Sequence, residues 1–212
     1  MKQTMRTKVI AGFVSLLTAI TVAPAAVLVS VDMDTVTPGV QSSIIVAPGA
    51  IFSVNLLVTS DLAGVSSYGI SALFDNTELT LNGVPDSAAA TELLPAGFTF
   101  NINAGVNSAS QALGRVYTFD AATFGAGPVA TTFVIGSISF VATAPVTNAS
   151  LDVTPGLFNV GFDGIFDNAS GDLGPGAVFV GGTVNVVPEP ASAALLLVGA
   201  GAVALRSRRR LR

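Results

Sequence analysis

Short alternations of apolar and polar residues, broken every few positions by Gly, Pro, Asn or Asp, run through the middle of this chain. Successive side chains on a strand point to opposite faces, so a period of two reads as a half-buried strand. From Ile51 to Thr59, Phe52, Val54, Leu56 and Val58 share one face, and Ser53, Asn55 and Thr59 the other. Tyr68, Ile70, Ala72 and Phe74 alternate in the same way with Ser67, Gly69, Ser71 and Leu73. The pattern predicts further strands at Val27–Val31, Ser42–Val46, Leu79–Leu81, Phe98–Ile102, Arg115–Phe119, Thr131–Val141, Ser150–Val153, Leu157–Gly161 and Val178–Val186. The apolar phase slips around Gly136, which predicts a bulge in that strand. Pro38-Gly39, Pro48-Gly49, Asn82-Gly83 and Pro155-Gly156 mark turns. No stretch of the middle sustains a 3.6-residue period; Asp86 to Leu94 predicts one short helix between strands. About ten short strands separated by turn signals predict an all-β, two-sheet β-sandwich of the jelly-roll kind. No internal repeat is visible, which argues against repeat-array architectures.

The two ends break this pattern. Lys2, Arg6 and Lys8 precede an apolar run from Val9 to Val22, and Ala23-Pro24-Ala25 supplies small residues for cleavage. Residues 1–25 therefore read as a secretory signal peptide with a helical apolar core. At the other end, Pro188-Glu189-Pro190 is an extended spacer, because proline fixes φ and disfavours helix before it. The run 191–205 carries no charge. As a helix it would be roughly 22 Å long, short against a hydrocarbon core of about 30 Å, but arginine snorkelling and bilayer thinning make a marginal span feasible. Arg206, Arg208, Arg209, Arg210 and Arg212 follow in the tail 206–212, as a cytoplasmic basic anchor should by the positive-inside rule. Between these segments lies one predicted domain, 26–187.

Charge sharpens the division. The whole chain has 9 basic and 13 acidic residues, a net charge of −4. Nearly all the bases sit in the terminal segments. Within 26–187, Arg115 is the single base against twelve acids, which leaves the domain at −11. Such a domain will not bind nucleic acid through its charge; it could attract cations. The chain has no Cys and no His, which removes disulfides, thiolate sites, Ser-His-Asp chemistry and histidine-held zinc. It has no Trp, and its two tyrosines are Tyr68 and Tyr117, so a flat aromatic platform for crystalline polysaccharide is poorly supplied.

Pro188-Glu189-Pro190, the apolar run and the arginine tail, in that order, resemble the PEP-CTERM sorting signal of Gram-negative bacteria that make exopolysaccharide. The resemblance implies that Pro188, Glu189 and Pro190 are recognised by an exosortase, that the anchor in the cytoplasmic membrane is transient, and that the destination is the cell surface or extracellular matrix. A second resemblance lies in the middle. Ala47-Pro48-Gly49 before an alternating strand, then Gly64 to Phe74 running into Asp75-Asn76-Thr77-Glu78-Leu79, is similar to the first half of a cohesin-like domain. The strands Phe133–Val141 and Gly182–Val187 are similar to its second half. It implies a jelly-roll sandwich related in fold to carbohydrate-binding modules.

One stretch has the composition of a metal loop. Between Asp163 and Asp172 stand three aspartates (Asp163, Asp167, Asp172), Asn168 and two glycines. Calcium takes six to eight hard oxygens on a flexible loop, so these aspartates are calcium candidates. The spacing is not that of an EF-hand, and a polar loop with Asx turns is the simpler account. Asp32 and Asp34 lie two apart on a predicted strand, where they could join a cation site or discourage edge pairing. Arg115 is expected to be a structural ion-pair partner.

Taken together, the chain is expected to be an exported, non-enzymatic protein that binds or scaffolds in exopolysaccharide or biofilm. A cohesin-like docking module for a partner protein, a calcium-dependent carbohydrate-binding module and a carboxylate-only glycosidase are the alternatives.

Overall fold

The computed structural model describes residues 27–102, 109–157, 163–169, 171–173 and 176–188. The signal peptide, Glu189, Pro190, the apolar run 191–205 and the arginine tail lie outside the described residues. No helix among the described residues is long and apolar enough to cross a membrane.

Thirteen strands are formed among the described residues: β1 (Leu28–Asp32), β2 (Ser43–Val46), β3 (Ile51–Thr59), β4 (Ser67–Phe74), β5 (Leu79–Leu81), β6 (Ala90–Glu92), β7 (Ala109–Ser110), β8 (Arg115–Ala122), β9 (Thr132–Ala142), β10 (Val146–Pro155), β11 (Gly164–Phe166), β12 (Val178–Val180) and β13 (Gly182–Val186). They build two sheets. The first runs β12-β1-β3-β9-β5, with β6 following β5 along the same edge of β9. The second runs β2-β13-β10-β4-β8-β7, with β11 on β4 beyond the end of β10. Pairing is antiparallel except for β1 with β12 and β2 with β13, which are parallel. This is the all-β, two-sheet sandwich that the alternating pattern predicts.

The period of two fills the space between the sheets. Phe52, Val54, Leu56 and Val58 of β3, and Tyr68, Ile70, Ala72 and Phe74 of β4, are all buried. Phe140 of β9 lies 5.7 Å from Phe52 on its own sheet and 5.2 Å from Phe74 on the other. Tyr68, Phe98 and Phe133 form a second aromatic group, with Tyr68 edge-on to Phe98 at 5.0 Å. The bulge falls where the phase slips: Leu56 pairs with Gly136 and Leu57 with Val134, so Ile135 is the extra residue. Gly136 then lies beneath Phe119, where an added Cβ would sit 2.2 Å from the ring.

Four expectations need correction. The helix expected from Asp86 to Leu94 is a 3-10 turn at Asp86–Ala89 followed by β6. The edge of β9 is open beyond β5, and ladder hydrogen bonds there outweigh the helix propensity of a few alanines. Phe98–Ile102 is no strand; Phe100 makes a single bridge to Ala122. Val178–Val186 is two strands in different sheets, broken at Gly181, where a Cβ would come within 2.5 Å of the Leu151 carbonyl oxygen. Asp32 is not an exposed edge charge. It is buried at the end of β1 across from Asn55 of β3, and its carboxylate accepts the N–H groups of Asp34 and Gln41. Asp34 lies past the strand, where Val36 N–H and Thr37 O–H donate to it. Of the strand expected at Leu157–Gly161, 158–161 lie outside the described residues, and Leu157 is an exposed bend.

Candidate functional site

The strand directions give the sandwich two distinct poles. Strand β13 ends at Val186 beside Val146, where β10 begins. Val187 N–H donates to the Val46 carbonyl at 2.9 Å, and Pro188 is exposed. The sorting tripeptide therefore starts one residue beyond β13, at a pole shared with the ends of β2 and β9 and the start of β3. Strands β3 and β8 end at the opposite pole, and β4 and β9 start there. Nine residues of β3 at about 3.3 Å each separate the two poles by roughly 30 Å.

Loops knit the opposite pole together. Asp61 folds its own loop by accepting the N–H groups of Ala63 and Gly64 on Oδ1. Its carbonyl takes Ala130 N–H, and Val65 N–H donates to the Pro128 carbonyl. Gly127 N–H donates to Asn168 Oδ1 at 2.6 Å, and Ser66 Oγ donates to the carbonyls of Phe166 and Asp167. Only glycine fits at position 127, since a Cβ would lie 1.7 Å from the Val65 carbonyl oxygen. This framework pushes large apolar side chains outward. Leu62 is 86% exposed and Phe124 87% exposed, and Val129 is also exposed. The Phe124 ring lies 5.0 Å from that of Phe100, which is itself partly exposed.

The aspartate stretch reaches the same pole. Asp167 Oδ1 accepts the N–H groups of Ala169 at 2.8 Å and Gly171 at 2.7 Å, an Asx-type turn. Asp163 packs where a Cβ on Gly156 would meet its Oδ1 at 2.2 Å, and Asp172 is exposed across from Phe166. Among the described residues, no three acidic side chains converge in a way that could hold a metal ion. Arg115 opens β8, level with the start of β13, and is exposed.

The outer face of the first sheet carries the polar positions of the alternation: Ser53 pairs with Ser139, Asn55 with Ser137 and with Asp32 of β1, and Thr59 with Thr132, beside the apolar pairs Ile51–Val141 and Leu57–Val134. Asn82 adds a bond to Ser139 Oγ at 3.1 Å. Between β6 of the first sheet and β8 of the second, Glu92 Oε1 accepts Asp120 N–H at 2.8 Å. Asp120 is 1% exposed, and Tyr68 nearby is wholly buried. Burial, then the charges of Glu92 and Asp120, hold the Tyr68 hydroxyl well above the usual range. Glu92 is also pushed up, mainly by burial and further by the Asp120 charge, against bonds from Asp120 N–H and the Asn101 side chain.

A carboxyl raised in the folded state holds its proton more tightly there, so its contribution is complete below the unfolded value of 4.5 and is lost as pH rises through the folded value. Between about pH 4 and about pH 7 the wild type is expected to lose melting temperature relative to Glu92→Gln, whose amide oxygen still accepts the Asp120 N–H. Parallel Tm profiles for the two proteins would show that Glu92 titrates as a free carboxyl.

Sequence reasoning missed Leu62, Phe100 and Phe124 as surface features. The available signal was their place: Leu62 in Ser60-Asp61-Leu62-Ala63-Gly64 and Phe124 before Gly125-Ala126-Gly127 are large apolar residues inside turn-forming stretches.

The profile of the PEP-CTERM protein-sorting motif matches residues 186–210. The motif marks the chain as exported, held at the cell envelope and processed there, with exosortase as the processing partner. Among solved structures, a cohesin–dockerin complex from Clostridium thermocellum is similar at 10% identity and a TM-score of 0.48, over 77% of this chain and 100% of that one. CaCohA2 from Clostridium acetobutylicum is similar at 14% identity and a TM-score of 0.45, over 77% of this chain and 92% of that one. BcpA, the major pilin subunit of Bacillus cereus, is similar at 10% identity and a TM-score of 0.36, over 78% of this chain and 40% of that one. These likenesses concern the fold alone. No curated protein sequence matches the chain.

Proposed function

We propose that this chain is a non-enzymatic binding or scaffolding protein of the cell surface and exopolysaccharide matrix, delivered by its C-terminal sorting signal. The observation that carries the reading is the polarity of the sandwich. The sorting tripeptide leaves one pole directly from β13, while the opposite pole presents exposed Leu62 and Phe124 on loops braced by hydrogen bonds. A domain held at one end and open at the other suits contact with something beyond the membrane. The Ser, Thr and Asn side chains on the outer face of the first sheet offer further donors and acceptors to glycan hydroxyls. Docking of a partner protein is the second reading, favoured by the apolar character of the exposed pole.

Co-sedimentation of the processed protein with the exopolysaccharide of its host tests the matrix role. Saturable binding is the expected result. Retention of the protein in the supernatant at every polysaccharide concentration would overturn the matrix reading and leave docking. The same titration with calcium and then EDTA reads the Asp163, Asp167 and Asp172 stretch. With Asp167 Oδ1 already taken by two N–H groups, no loss in EDTA is expected.

A further inference from the structure

We infer that the pole opposite the sorting signal docks a protein segment with an apolar anchor flanked by lysine or arginine side chains. The inference deepens the binding role proposed above and rests on it. Leu62, Phe124 and Val129 are exposed on loops joined by the Ala130–Asp61 and Val65–Pro128 hydrogen bonds, and the Phe100 ring lies against that of Phe124. Side chains this large and this exposed on braced loops make an anchor site at low entropic cost, since the loops are already ordered by their own bonds. Asp61 stands beside Leu62, and Asp167 joins the same pole through Ser66. The apolar surface is thus bordered by carboxylates.

Charge decides the occupant. Within 26–187 the single base is Arg115, and it opens β8, at the end of that strand away from this pole. A second copy would bring a domain of net charge −11 to this rim, and the two carboxylate-bearing poles would repel each other. An anionic lipid surface is repelled for the same reason. A basic segment gains from both features: its apolar anchor covers Leu62 and Phe124 while its cations meet the carboxylates. The pole is also the part of the domain farthest from the anchor, so it stays accessible before and after processing.

The test uses the full chain in neutral detergent and two fluorescent peptides, KKLFKK and KKSSKK, read by anisotropy at about 0.15 M salt, where exposed charge pairs alone are screened. KKLFKK is expected to bind saturably and KKSSKK at least tenfold more weakly. Phe124→Ser and Leu62→Ser, both exposed and therefore safe for the fold, are each expected to weaken KKLFKK at least tenfold. Ser53→Gln on the outer sheet face is expected to leave it unchanged. Equal binding of the two peptides, or no loss in Phe124→Ser, overturns the inference. A concentration-dependent dimer abolished by Phe124→Ser overturns it in favour of a second copy. Surface retention of the same variants in cells separates the two levels. Retention lost in Ser53→Gln but kept in Phe124→Ser would sink this inference and leave the binding role standing. Wild-type protein that is processed and then found free in the medium would sink the binding role itself.

Discussion

Replacing Phe140 with alanine is expected to lower the melting temperature of the domain by about 10 °C. Phe140 is fully buried in β9, the most extensively paired strand of the first sheet, and its ring touches Phe52 on that sheet and Phe74 on the other. Truncation removes apolar burial and leaves a cavity between two sheets that are each fixed by their own ladders, so neither can collapse to fill it. Buried Phe-to-Ala changes cost about 3–5 kcal/mol. In a domain of this size, each kcal/mol moves Tm by about 2–4 °C. Thermal unfolding followed by circular dichroism checks it, with the exposed Leu113→Ala as a control expected to shift little. A drop below about 3 °C for Phe140→Ala would mean that the inter-sheet aromatic contacts do not hold the sandwich together.

Deleting residues 191–212 is expected to remove the precursor from the membrane fraction, with at least a tenfold loss of membrane-associated protein. The deletion takes away the uncharged run and all five terminal arginines while leaving β13 and its bond to Val46 intact. The domain should therefore stay folded, so loss of retention would report the anchor alone. Alanine at Pro188, Glu189 and Pro190 leaves the apolar run in place and should give the opposite result: full-length chain accumulating in the membrane, unprocessed. Cell fractionation with an antibody against the domain reads both. Identical fractionation of the full-length and truncated chains would refute the sorting role of the C-terminal segment, and normal processing of the triple-alanine protein would refute recognition through the tripeptide.

The short spacer has a structural corollary. Because Val187 is hydrogen-bonded to β2, the recognition residues begin directly beneath the folded pole. Asp75 and Glu78, in the turn between β4 and β5, lie at that same pole. Anionic lipid repels them, which favours a domain standing off the bilayer over one lying on it. That orientation keeps Leu62 and Phe124 turned away from the membrane.

Much of this protein is decided locally and so can be read from the chain. Alternation along β3 and β4 places Phe52, Val54, Leu56, Val58, Tyr68, Ile70, Ala72 and Phe74 on buried faces because a strand's side-chain period is geometric. The phase slip at Gly136 marks the bulge for the same reason. The sorting signal is legible because it is a linear device: proline stiffness, uninterrupted apolarity and clustered arginine need no tertiary contact to act. Other features depend on neighbours distant in sequence. Ala90–Glu92 becomes a strand because β9 offers it a free edge, although its local propensity points to helix. Val178–Val186 divides between sheets because Gly181 passes close to the Leu151 carbonyl. Glu92 of β6 and Asp120 of β8 meet between the two sheets after a separation of 28 residues. The exposed pole is of this kind too. The turn-forming neighbours of Leu62 and Phe124 mark them locally as loop residues. That their loops are braced together at one pole follows from long-range hydrogen bonding, which no local pattern encodes.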